Sequence, residues 1–484
     1  MDTEEKRLDA EETFAACEKL FPRGDARDII RRRFDAAYAS FACRVAVLDD
    51  DPTGVQTVHG VDVVTDWRED TLEEMLLSDR RMFFILTNSR SFSAEKTAAA
   101  HREIAESIAR AARKAGRDVT VISRSDSTLR GHFPLETEIL RKTLESAGQP
   151  SFSGEVLCPF FKEGGRFTLN GVHYVREGAT LVPAAQTEFA GDKTFGYRHS
   201  FLPDYIEEKT GGRVSAKDVI TLSLKELRGL DFDAVENRLL SARGFRYIAA
   251  DALEEADVQA LAVVLMDLMA RGRRYMLRGA AALPKVFGHV EDRPPLCREE
   301  MIDAGTDTGG LVIVGSHVRK TTDQLNRLRQ SAAPLEFVEF DVSGWDRENG
   351  LKSETRRVTA LAEAAMRGGK TAVVYTSRAL IAPPGASPED LLRISVSISD
   401  ALTAVVSSLS LRPRFLIAKG GITSSDVGVK ALGVRRAAVK GQAAPGIPVW
   451  QTGDESLFPG LSYVIFPGNV GGTDTLREIV EKLS

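Results

Sequence analysis

The chain opens with apolar positions spaced as in amphipathic helices and then changes to short apolar runs. In residues 1 to about 40, apolar residues recur three and four positions apart, which predicts a helical arm. The apolar face consists of Phe14, Cys17, Leu20, Ile29, Ile30 and Phe34. From Arg44 onwards, short apolar runs end in polar residues, and helical stretches such as Ala94–Ala115 lie between several of them.

This alternation of buried strands and helices predicts an α/β protein with two domains. The first set of apolar runs is RVAVLDDD, VDVVTD, RMFFILTNS, DVTVISRSD, VLCPFF, VITLSL, YIAADA and YMLRGAAAL. The second set is LVIVGSH, PLEFVEFDV, TAVVYTS, RFLIAKGG, AAVKGQ and VIFPGN. Between the sets, residues 291–305 are polar and contain two consecutive prolines, as is typical of a linker.

We therefore expect a helical arm at 1–43, a first domain at 44–290, the linker at 291–305 and a second domain at 306–484. Each domain is predicted to be doubly wound with a mainly parallel sheet, and the two domains are predicted to face each other across a cleft.

Composition excludes several classes of protein. The 484 residues include 64 Lys and Arg against 69 Asp and Glu, so the net charge is −5 and the pI is about 6.0. A mildly acidic chain lacks the electrostatic footprint of a nucleic-acid binder. The four cysteines form no CxxC pair, which disfavours a disulfide scaffold and fits a reducing cytosol. The charged N-terminus and the absence of a long apolar run predict a cytoplasmic protein with no membrane partner.

Three acidic residues follow the first predicted strand. Asp49, Asp50 and Asp51 come directly after the run VAVL. In open α/β sheets, ligands bind at the carboxyl ends of the strands, where a carboxylate can hold Mg²⁺ or deprotonate a hydroxyl. An acid can also cap a helix, but one residue would be enough for a cap. The row of three favours a functional role.

Arginine and hydroxyl residues coincide at two further strand ends. Residues 87–91 read TNSRS, and residues 123–131 read SRSDSTLRG. The guanidinium groups of Arg90, Arg124 and Arg130 can pair with a carboxylate through two hydrogen bonds, and Ser and Thr can bind hydroxyls. These features favour a small polyhydroxylated acid as ligand. A surface network of ion pairs would explain one arginine, but it explains the coincidence at two strand ends less well.

Three glycine turns in the second domain suggest a nucleotide triphosphate site. Residues 315–316 (GS), 419–424 (KGGITS) and 467–473 (PGNVGGT) each lie between a strand and a helix. Such turns allow backbone N–H groups to approach phosphate oxygens. No GxxxxGK[ST] motif is present, and no GxGxxG follows the first strand of either domain, so a P-loop enzyme and a dinucleotide dehydrogenase are disfavoured. The seven histidines show no zinc-binding spacing.

Taken in order, these motifs resemble the four-carbon acid sugar kinases over roughly residues 44–480. The motifs are DDDPTG, TNSRS, SRSDSTLRG, GSHVRKTTDQL, KGGITSSD and PGNVGG. The resemblance implies an N-terminal domain that binds a sugar acid and a C-terminal domain that binds a nucleotide. It also implies phosphorylation of a tetronate-type acid with ATP and Mg²⁺.

The resemblance also implies site residues, although it assigns no metal ligand. Asp51 and Asp50 would be catalytic. The substrate would be bound by Asp51, Arg90, Arg124, Ser125, Asp126, Ser127 and Thr128. ATP would be bound by Ser316, Gly420, Gly421, Ile422, Thr423 and Gly468. The family often has lysine at the position of Arg124, and also just before the last glycine turn, where this chain has Phe466.

The predicted function is that of an ATP-dependent kinase for a tetronate, threonate or 3-oxo-tetronate. Two alternatives remain: a sugar-acid isomerase, aldolase or dehydrogenase, and a non-catalytic protein that binds a sugar acid and a nucleotide. The row of three acids argues against the second, because a protein that only binds an anion gains little from carboxylates beside it. The helical arm either supports a homodimer or covers a sheet edge.

Overall fold

The computed structural model describes residues 5–241, 244–303, 305–378, 381, 383, 387–468 and 470–484, without the side chains of residues 388, 389 and 392. The chain divides into two compact units. The first contains Met1–Gly54 and Asp66–Glu291, and the second contains Val55–Thr65 and Asp292–Ser484.

The strands and helices alternate along most of the chain. The strands are β1 (Leu8–Asp9), β2 (Arg44–Asp49), β3 (Val61–Val64), β4 (Met82–Leu86), β5 (Val119–Arg124), β6 (Gly154–Cys158), β7 (Arg166–Leu169), β8 (Val172–Glu177), β9 (Thr180–Pro183), β10 (Ile220–Leu222), β11 (Arg246–Ala250), β12 (Tyr275–Gly279), β13 (Leu311–Val314), β14 (Leu335–Phe340), β15 (Thr371–Thr376), β16 (Leu416–Lys419), β17 (Arg436–Ala444), β18 (Ile447–Thr452) and β19 (Ser462–Phe466).

The helices are α1 (Ala10–Glu18), α2 (Ala26–Ser40), α3 (Glu69–Leu77), α4 (Ala94–Ala115), α5 (Leu135–Ser146), α6 (Leu202–Lys209), α7 (Leu224–Arg228), α8 (Phe232–Leu240), α9 (Glu255–Ala270), α10 (Ala282–Phe287), α11 (Arg298–Met301), α12 (Arg319–Leu328), α13 (Gly350–Arg367), α14 (Pro388–Ser407), α15 (Gly421–Asp426) and α16 (Thr475–Leu483). In the described part of the chain, no helix is both long enough and apolar enough to cross a membrane.

The main sheet of the first unit is parallel throughout. Its strand order is β10-β11-β6-β12-β5-β2-β4, and each neighbouring pair runs in the same direction. In β2 every residue after Arg44 is buried, which explains why this strand reads as a continuous apolar run and not as an alternating pattern. The carboxyl ends of β2, β4 and β5 therefore lie side by side, and these are the strands that the acidic triplet and the arginine-bearing motifs follow.

The N-terminal arm is attached to the first unit by backbone pairing and by buried charge. Strand β1 pairs antiparallel with β9, so that it completes a small sheet in the order β1-β9-β8-β7. Arg228 donates to the carbonyl oxygen of Cys17 at 2.7 Å and to both carboxylate oxygens of Asp257 at 2.7 and 2.9 Å. The last turn of α1 is thereby connected to α7 and α9.

The second unit contains a mixed sheet. Strands β19-β16-β13-β15-β14 are parallel, while β3, β17 and β18 are added with antiparallel pairing. One segment departs from the predicted division of the chain, because Val55–Thr65 belongs to this unit and its strand β3 pairs with β17. The run VDVVTD indicates a strand but not its partner, since pairing is a long-range contact. The predicted α/β class with mainly parallel sheets is confirmed.

Burial of an acidic side chain in the first unit has a consequence for stability. Glu155 lies on β6 and is fully buried, and neither carboxyl oxygen accepts a hydrogen bond of normal geometry from the residues that the structure describes. Burial raises its pKa to about 8, although Arg278 and Thr137 are close enough to oppose the shift in part. The folded state therefore keeps the proton at a pH where the unfolded state has released it, and this group makes the protein less stable as the pH rises from about 4.5 to about 8.

We expect Glu155→Gln to raise the free energy of unfolding by roughly 2 kcal/mol at neutral pH and to change it little near pH 4, because glutamine carries no proton to lose. Urea unfolding at both pH values tests this. The control is Glu106→Gln, which removes an exposed carboxylate on α4. Equal effects of Glu155→Gln at the two pH values would contradict the prediction.

Candidate active site

The acidic triplet forms a tight turn at the end of β2. Asp49 and Asp50 are buried, whereas the Asp51 side chain keeps about a quarter of its surface exposed (23%). Thr53 donates to the carboxylate of Asp51 from its backbone N–H at 2.9 Å and from its hydroxyl at 2.6 Å. A Cβ atom on Gly54 would lie 1.9 Å from an oxygen of Asp49. Glycine is therefore required here for the chain to turn closely around the Asp49 carboxyl.

Arg90 brings together three of the predicted carboxylates. It donates to both carboxylate oxygens of Asp50, from Nε at 3.1 Å and from Nη2 at 2.6 Å. Its Nη1 group lies 3.4 Å from Asp51 and 3.9 Å from Asp126. Asn88, two residues earlier, has a left-handed backbone with φ of 58°, a conformation that asparagine tolerates better than most residues. This turn directs the chain so that Arg90 reaches across to the end of β2.

The segment after β5 supplies a second set of predicted residues. Arg130 donates to both oxygens of Asp126, at 2.9 and 3.2 Å, and the hydroxyl of Thr128 also bonds to this carboxylate. Ser125 is buried and donates its N–H to the carbonyl of Gly279 at 3.0 Å. Ser127 accepts a hydrogen bond at its backbone carbonyl from His173 at 2.8 Å. Asp126 and Thr128 therefore join the cluster around Arg90 through side chains, while the contacts given for Ser125 and Ser127 are made by their backbones.

Arg124 is the last residue of β5 and is almost completely buried (4% exposed). Its Nη1 group lies 3.7 Å from an oxygen of Asp49, and its Nε has no hydrogen-bond partner among the described residues. A buried guanidinium donor without a partner is unfavourable unless a ligand supplies the acceptor. This position therefore suits an oxygen-rich ligand.

The carboxyl groups at the end of β2 differ in their tendency to ionise. Burial raises the pKa of Asp49 to about 8, and it also raises the pKa of Asp50, although the charge of Arg90 opposes this. Burial acts in the same direction on Asp51, but the charge of Arg90 and the hydrogen bonds from Thr53 outweigh it and lower the pKa of Asp51. At neutral pH Asp51 is therefore ionised and partly accessible, which are the properties of a group that accepts a proton or binds a cation.

Two buried residues that sequence reasoning missed support this cluster. Arg278 on β12 donates to Glu136 at 2.9 Å and to the hydroxyl of Ser123 at 3.0 Å, and Glu136 also accepts from Ser89 at 2.8 Å. Arg278 and a neighbouring histidine lower the pKa of Glu136 to about 2 in spite of its burial. A Cβ atom on Gly131 would lie 3.4 Å from Arg278 and 3.6 Å from Asp50, so this ion pair lies beside the triplet. The one signal in the sequence was an arginine inside the apolar run YMLRG.

In the second unit, the three predicted glycine turns meet. A Cβ atom on Gly420 would lie 3.1 Å from the Cβ of Ser316, and one on Gly468 would lie 3.3 Å from the hydroxyl of Ser316. Gly420 has φ of 127°, a conformation that residues with a side chain rarely adopt. Thr423 faces the same turns, since its hydroxyl would be 2.3 Å from a Cβ on Gly315. Glycine is therefore favoured at Gly315 by the Thr423 side chain and at Gly420 by its backbone conformation.

Gly421 and Ile422 lie in the first turn of α15, directly after Gly420, and the Ile422 side chain is largely exposed (71%). The residues predicted to bind the nucleotide are therefore close together in this unit. Residue 469, within the last predicted glycine turn, lies outside the described residues.

A lysine lies beneath these turns; it begins the predicted turn 419–424 but is not among the predicted nucleotide-binding residues. Lys419 is fully buried, and its ammonium group donates to the carbonyls of Pro467 at 2.5 Å and Gly468 at 3.1 Å. The same ammonium lies 4.0 Å from the centre of the Phe466 ring. Burial, together with the charge of Lys320, lowers its pKa to about 7. The last glycine turn is thus held by a lysine from the neighbouring strand β16, and β19 itself contributes Phe466.

The carboxylates described above belong to ion pairs and hydrogen-bonded turns and do not form a metal cage. Across the described residues, no group of three or more His, Cys, Asp and Glu side chains is arranged to hold a metal ion.

Comparison with known proteins assigns both halves of the chain. Residues 45–287 match the family model of a sugar-binding N-terminal domain, and residues 311–476 match that of a nucleotide-binding C-terminal domain. The chain thus combines a sugar-binding α/β domain with a nucleotide-binding one. It belongs to the four-carbon acid sugar kinase family.

Among curated proteins, the chain is similar to the 3-oxo-tetronate kinase of Cupriavidus necator. The two are 28% identical over 377 residues, which cover 75% of this chain and 77% of the relative.

Solved structures share the fold. A protein of Haemophilus influenzae is 18% identical with a TM-score of 0.61, covering 90% of this chain and 99% of its own. A protein of Salmonella typhimurium LT2, described as a putative tRNA synthase, is 19% identical with a TM-score of 0.62, covering 90% of this chain and 98% of its own. Identities this low show a common fold and nothing about substrate.

Proposed function

We propose that this protein is a kinase that transfers the terminal phosphoryl group of ATP to a hydroxyl group of a four-carbon sugar acid. The observation that carries the proposal is the convergence of Asp50, Asp51 and Asp126 on Arg90 at the carboxyl ends of adjacent strands. Such a cluster offers both ionised acceptors for hydroxyl protons and guanidinium donors for an acid. Membership of the four-carbon acid sugar kinase family supports the same function.

In the proposed mechanism, Asp51 accepts the proton of the attacking hydroxyl. Its carboxylate is ionised at neutral pH and is the most exposed of the triplet, whereas Asp50 is fully engaged by Arg90. As the proton moves to Asp51, the hydroxyl oxygen forms a bond to the terminal phosphorus and the bond from that phosphorus to the leaving ADP oxygen breaks. Asp50 keeps Arg90 in place and is a positioning residue, so we assign proton transfer to Asp51.

The acid substrate is proposed to bind through the arginine and hydroxyl groups that follow β4 and β5. Arg124 has a buried Nε group without a hydrogen-bond partner among the described residues, and this donor suits a substrate carboxylate. Arg90, Asp126 and Thr128 would bind hydroxyl groups, with Ser125 and Ser127 lining the same segment. Arginine at position 124, in place of the lysine frequent in the family, would hold a carboxylate through two parallel hydrogen bonds and not through a single point charge.

The nucleotide is proposed to bind at the glycine turns of the second unit. Ser316, Gly420 and Gly468 approach each other closely, and Gly421, Ile422 and Thr423 start the helix that follows. Backbone N–H groups in such turns stabilise phosphate oxygens. Mg²⁺, which takes one or two carboxylates besides phosphate oxygens and water, would neutralise charge on the transferring phosphoryl group. Because no group of three or more His, Cys, Asp and Glu side chains in the described residues is arranged to hold a metal ion, no protein ligand is assigned to Mg²⁺.

A substrate panel tests the proposed function. Purified protein is incubated with ATP and Mg²⁺ and with erythronates, threonates and their 3-oxo forms, and release of ADP is measured. We expect ADP release that depends on one of these acids, and the similarity to a 3-oxo-tetronate kinase favours the 3-oxo forms. Binding of an acid without ADP release, or binding of NAD(P) in place of ATP, would contradict the kinase assignment.

A further inference from the structure

Arg378 lies beside the glycine turns at a strand end that the sequence analysis did not use. Strand β15 ends at Thr376, and Arg378 follows two residues later. Its Nη2 group donates to the carbonyl oxygen of Ser316 at 2.7 Å and to the hydroxyl of Thr322 at 2.9 Å. The guanidinium therefore contacts both the first glycine turn and the helix α12 that follows it.

The charge of Arg378 is not balanced by the protein in the part of the chain that the structure describes. No carboxylate there lies within 4 Å of it, and its Nη1 atom is buried without a hydrogen-bond partner. Burial lowers the pKa of this guanidinium, although arginine remains charged at neutral pH. A partly buried positive charge and a buried free donor are both unfavourable, so the arrangement suits an anion that the described residues do not provide.

The surroundings of Arg378 suit one class of anion. The glycine turn at Ser316 packs against Gly420 and Gly468. The ammonium group of Lys419 donates to the carbonyl of Gly468 and lies beneath these turns. Lys320, at the start of α12, adds a further positive charge near Lys419. Burial and the charge of Arg378 lower the pKa of His317, so this histidine is neutral at pH 7. Glycine turns that meet beside several basic side chains are typical of a polyphosphate site.

We propose that Arg378 binds a phosphate oxygen of the bound nucleotide through its Nη1 group, while its Nη2 group holds the Ser316 turn in place. The inference rests on the proposed function and adds a specific residue to it. The fork of an arginine has donors on both sides, so one side can bond to the protein and the other to a phosphate. The bound phosphate supplies both the missing charge and the missing acceptor.

The test compares three ligands that share one base and sugar but differ in phosphate. Affinities for ATP, ADP and adenosine are measured by titration calorimetry for the wild-type protein, Arg378→Gln and Arg378→Lys. We expect Arg378→Gln to weaken ATP and ADP binding roughly 10- to 100-fold, because a charged hydrogen bond is lost, and to leave adenosine binding unchanged. Arg378→Lys keeps the charge without the forked donors, so its affinities for ATP and ADP are expected to lie between those of the wild-type protein and Arg378→Gln.

The matched control is Arg367→Gln, which removes an exposed arginine of the same unit that is paired with Glu363. It is expected to bind all three ligands as the wild-type protein does. If Arg378→Gln weakens adenosine binding as much as ATP binding, Arg378 only supports the turn and the inference is wrong. It is also wrong if ATP binding is unaffected. Failure of the wild-type protein to bind any of the three would overturn the proposed nucleotide site itself, which is a distinguishable result.

Discussion

Replacing Asp51 by asparagine is expected to lower kcat for the acid substrate about 10²–10³-fold with little change in its KM, because proton acceptance is lost while the shape of the side chain is kept. Phosphoryl transfer depends mainly on positioning and electrostatics, so a general base contributes less here than in acyl transfer. The measurement is steady-state ADP release at saturating ATP with the best acid of the panel. Since Arg90 and Thr53 lower the pKa of Asp51, we expect no loss of wild-type kcat from its protonation between about pH 6 and about pH 8.

Asp70→Asn is the matched control for this variant, since Asp70 is an exposed acid of the same unit (72%) and is expected to leave kcat unchanged. Asp50→Asn gives a second comparison. Because Asp50 is bound by two donors of Arg90, we expect its loss to reduce stability as well as activity. Full activity of Asp51→Asn would show that the hydroxyl proton goes elsewhere.

Arg90→Gln is expected to destabilise the first unit by about 3 kcal/mol at neutral pH, because it leaves Asp50, Asp51 and Asp126 close together without their shared cation. Arg90 and hydrogen bonds lower the pKa values of Asp51 and Asp126 in spite of burial. Their contribution to stability is present above the unfolded pKa of about 4 and is lost as the pH falls through the lower folded values. The difference between the two proteins should therefore shrink towards pH 3.

Urea unfolding of wild-type protein and Arg90→Gln at neutral pH and at about pH 3 measures this difference. Arg110→Gln, which removes an exposed arginine from α4, serves as the control and should change stability by less than about 1 kcal/mol at either pH. A deficit of Arg90→Gln that is the same at both pH values would show that Arg90 contributes packing and not charge. Arg90→Lys should recover part of the stability, because it keeps the positive charge. The recovery should be incomplete, since one ammonium cannot bond to both oxygens of Asp50 and to Asp51 at once.

The candidate site could be predicted from the sequence only where its residues follow strands directly. Asp50, Asp51 and Arg90 stand next to apolar runs, and parallel strands bring their carboxyl ends to one edge, so their proximity follows from local pattern and fold class. Glu136 and Arg278 do not stand out in this way. Glu136 comes from the start of a helix and Arg278 from within a strand, one residue before its end, and only packing in three dimensions pairs them.

The last glycine turn also has a contact that could not be predicted from the sequence. Phe466 stands where the family often has lysine, so the sequence by itself indicates a missing phosphate contact. In the structure, Lys419 on the neighbouring strand extends beneath that turn and bonds to the carbonyls of Pro467 and Gly468. A comparison made position by position along the chain misses a lysine that reaches the same turn from another strand.

The sequence by itself determined the α/β class, the mainly parallel strands and the strand ends that carry the candidate site residues, because these depend on the period of the apolar pattern and on the residues that follow each run. The tertiary structure decided that Val55–Thr65 joins the second unit and that Glu136, Arg278, Lys419 and Arg378 lie beside the residues of the two candidate sites. It also decided that burial raises the pKa of Asp49 while the charge of Arg90 lowers that of Asp51. Strand pairing, burial and the distance between charges depend on residues far apart in the chain. The local sequence pattern therefore does not predict these three properties.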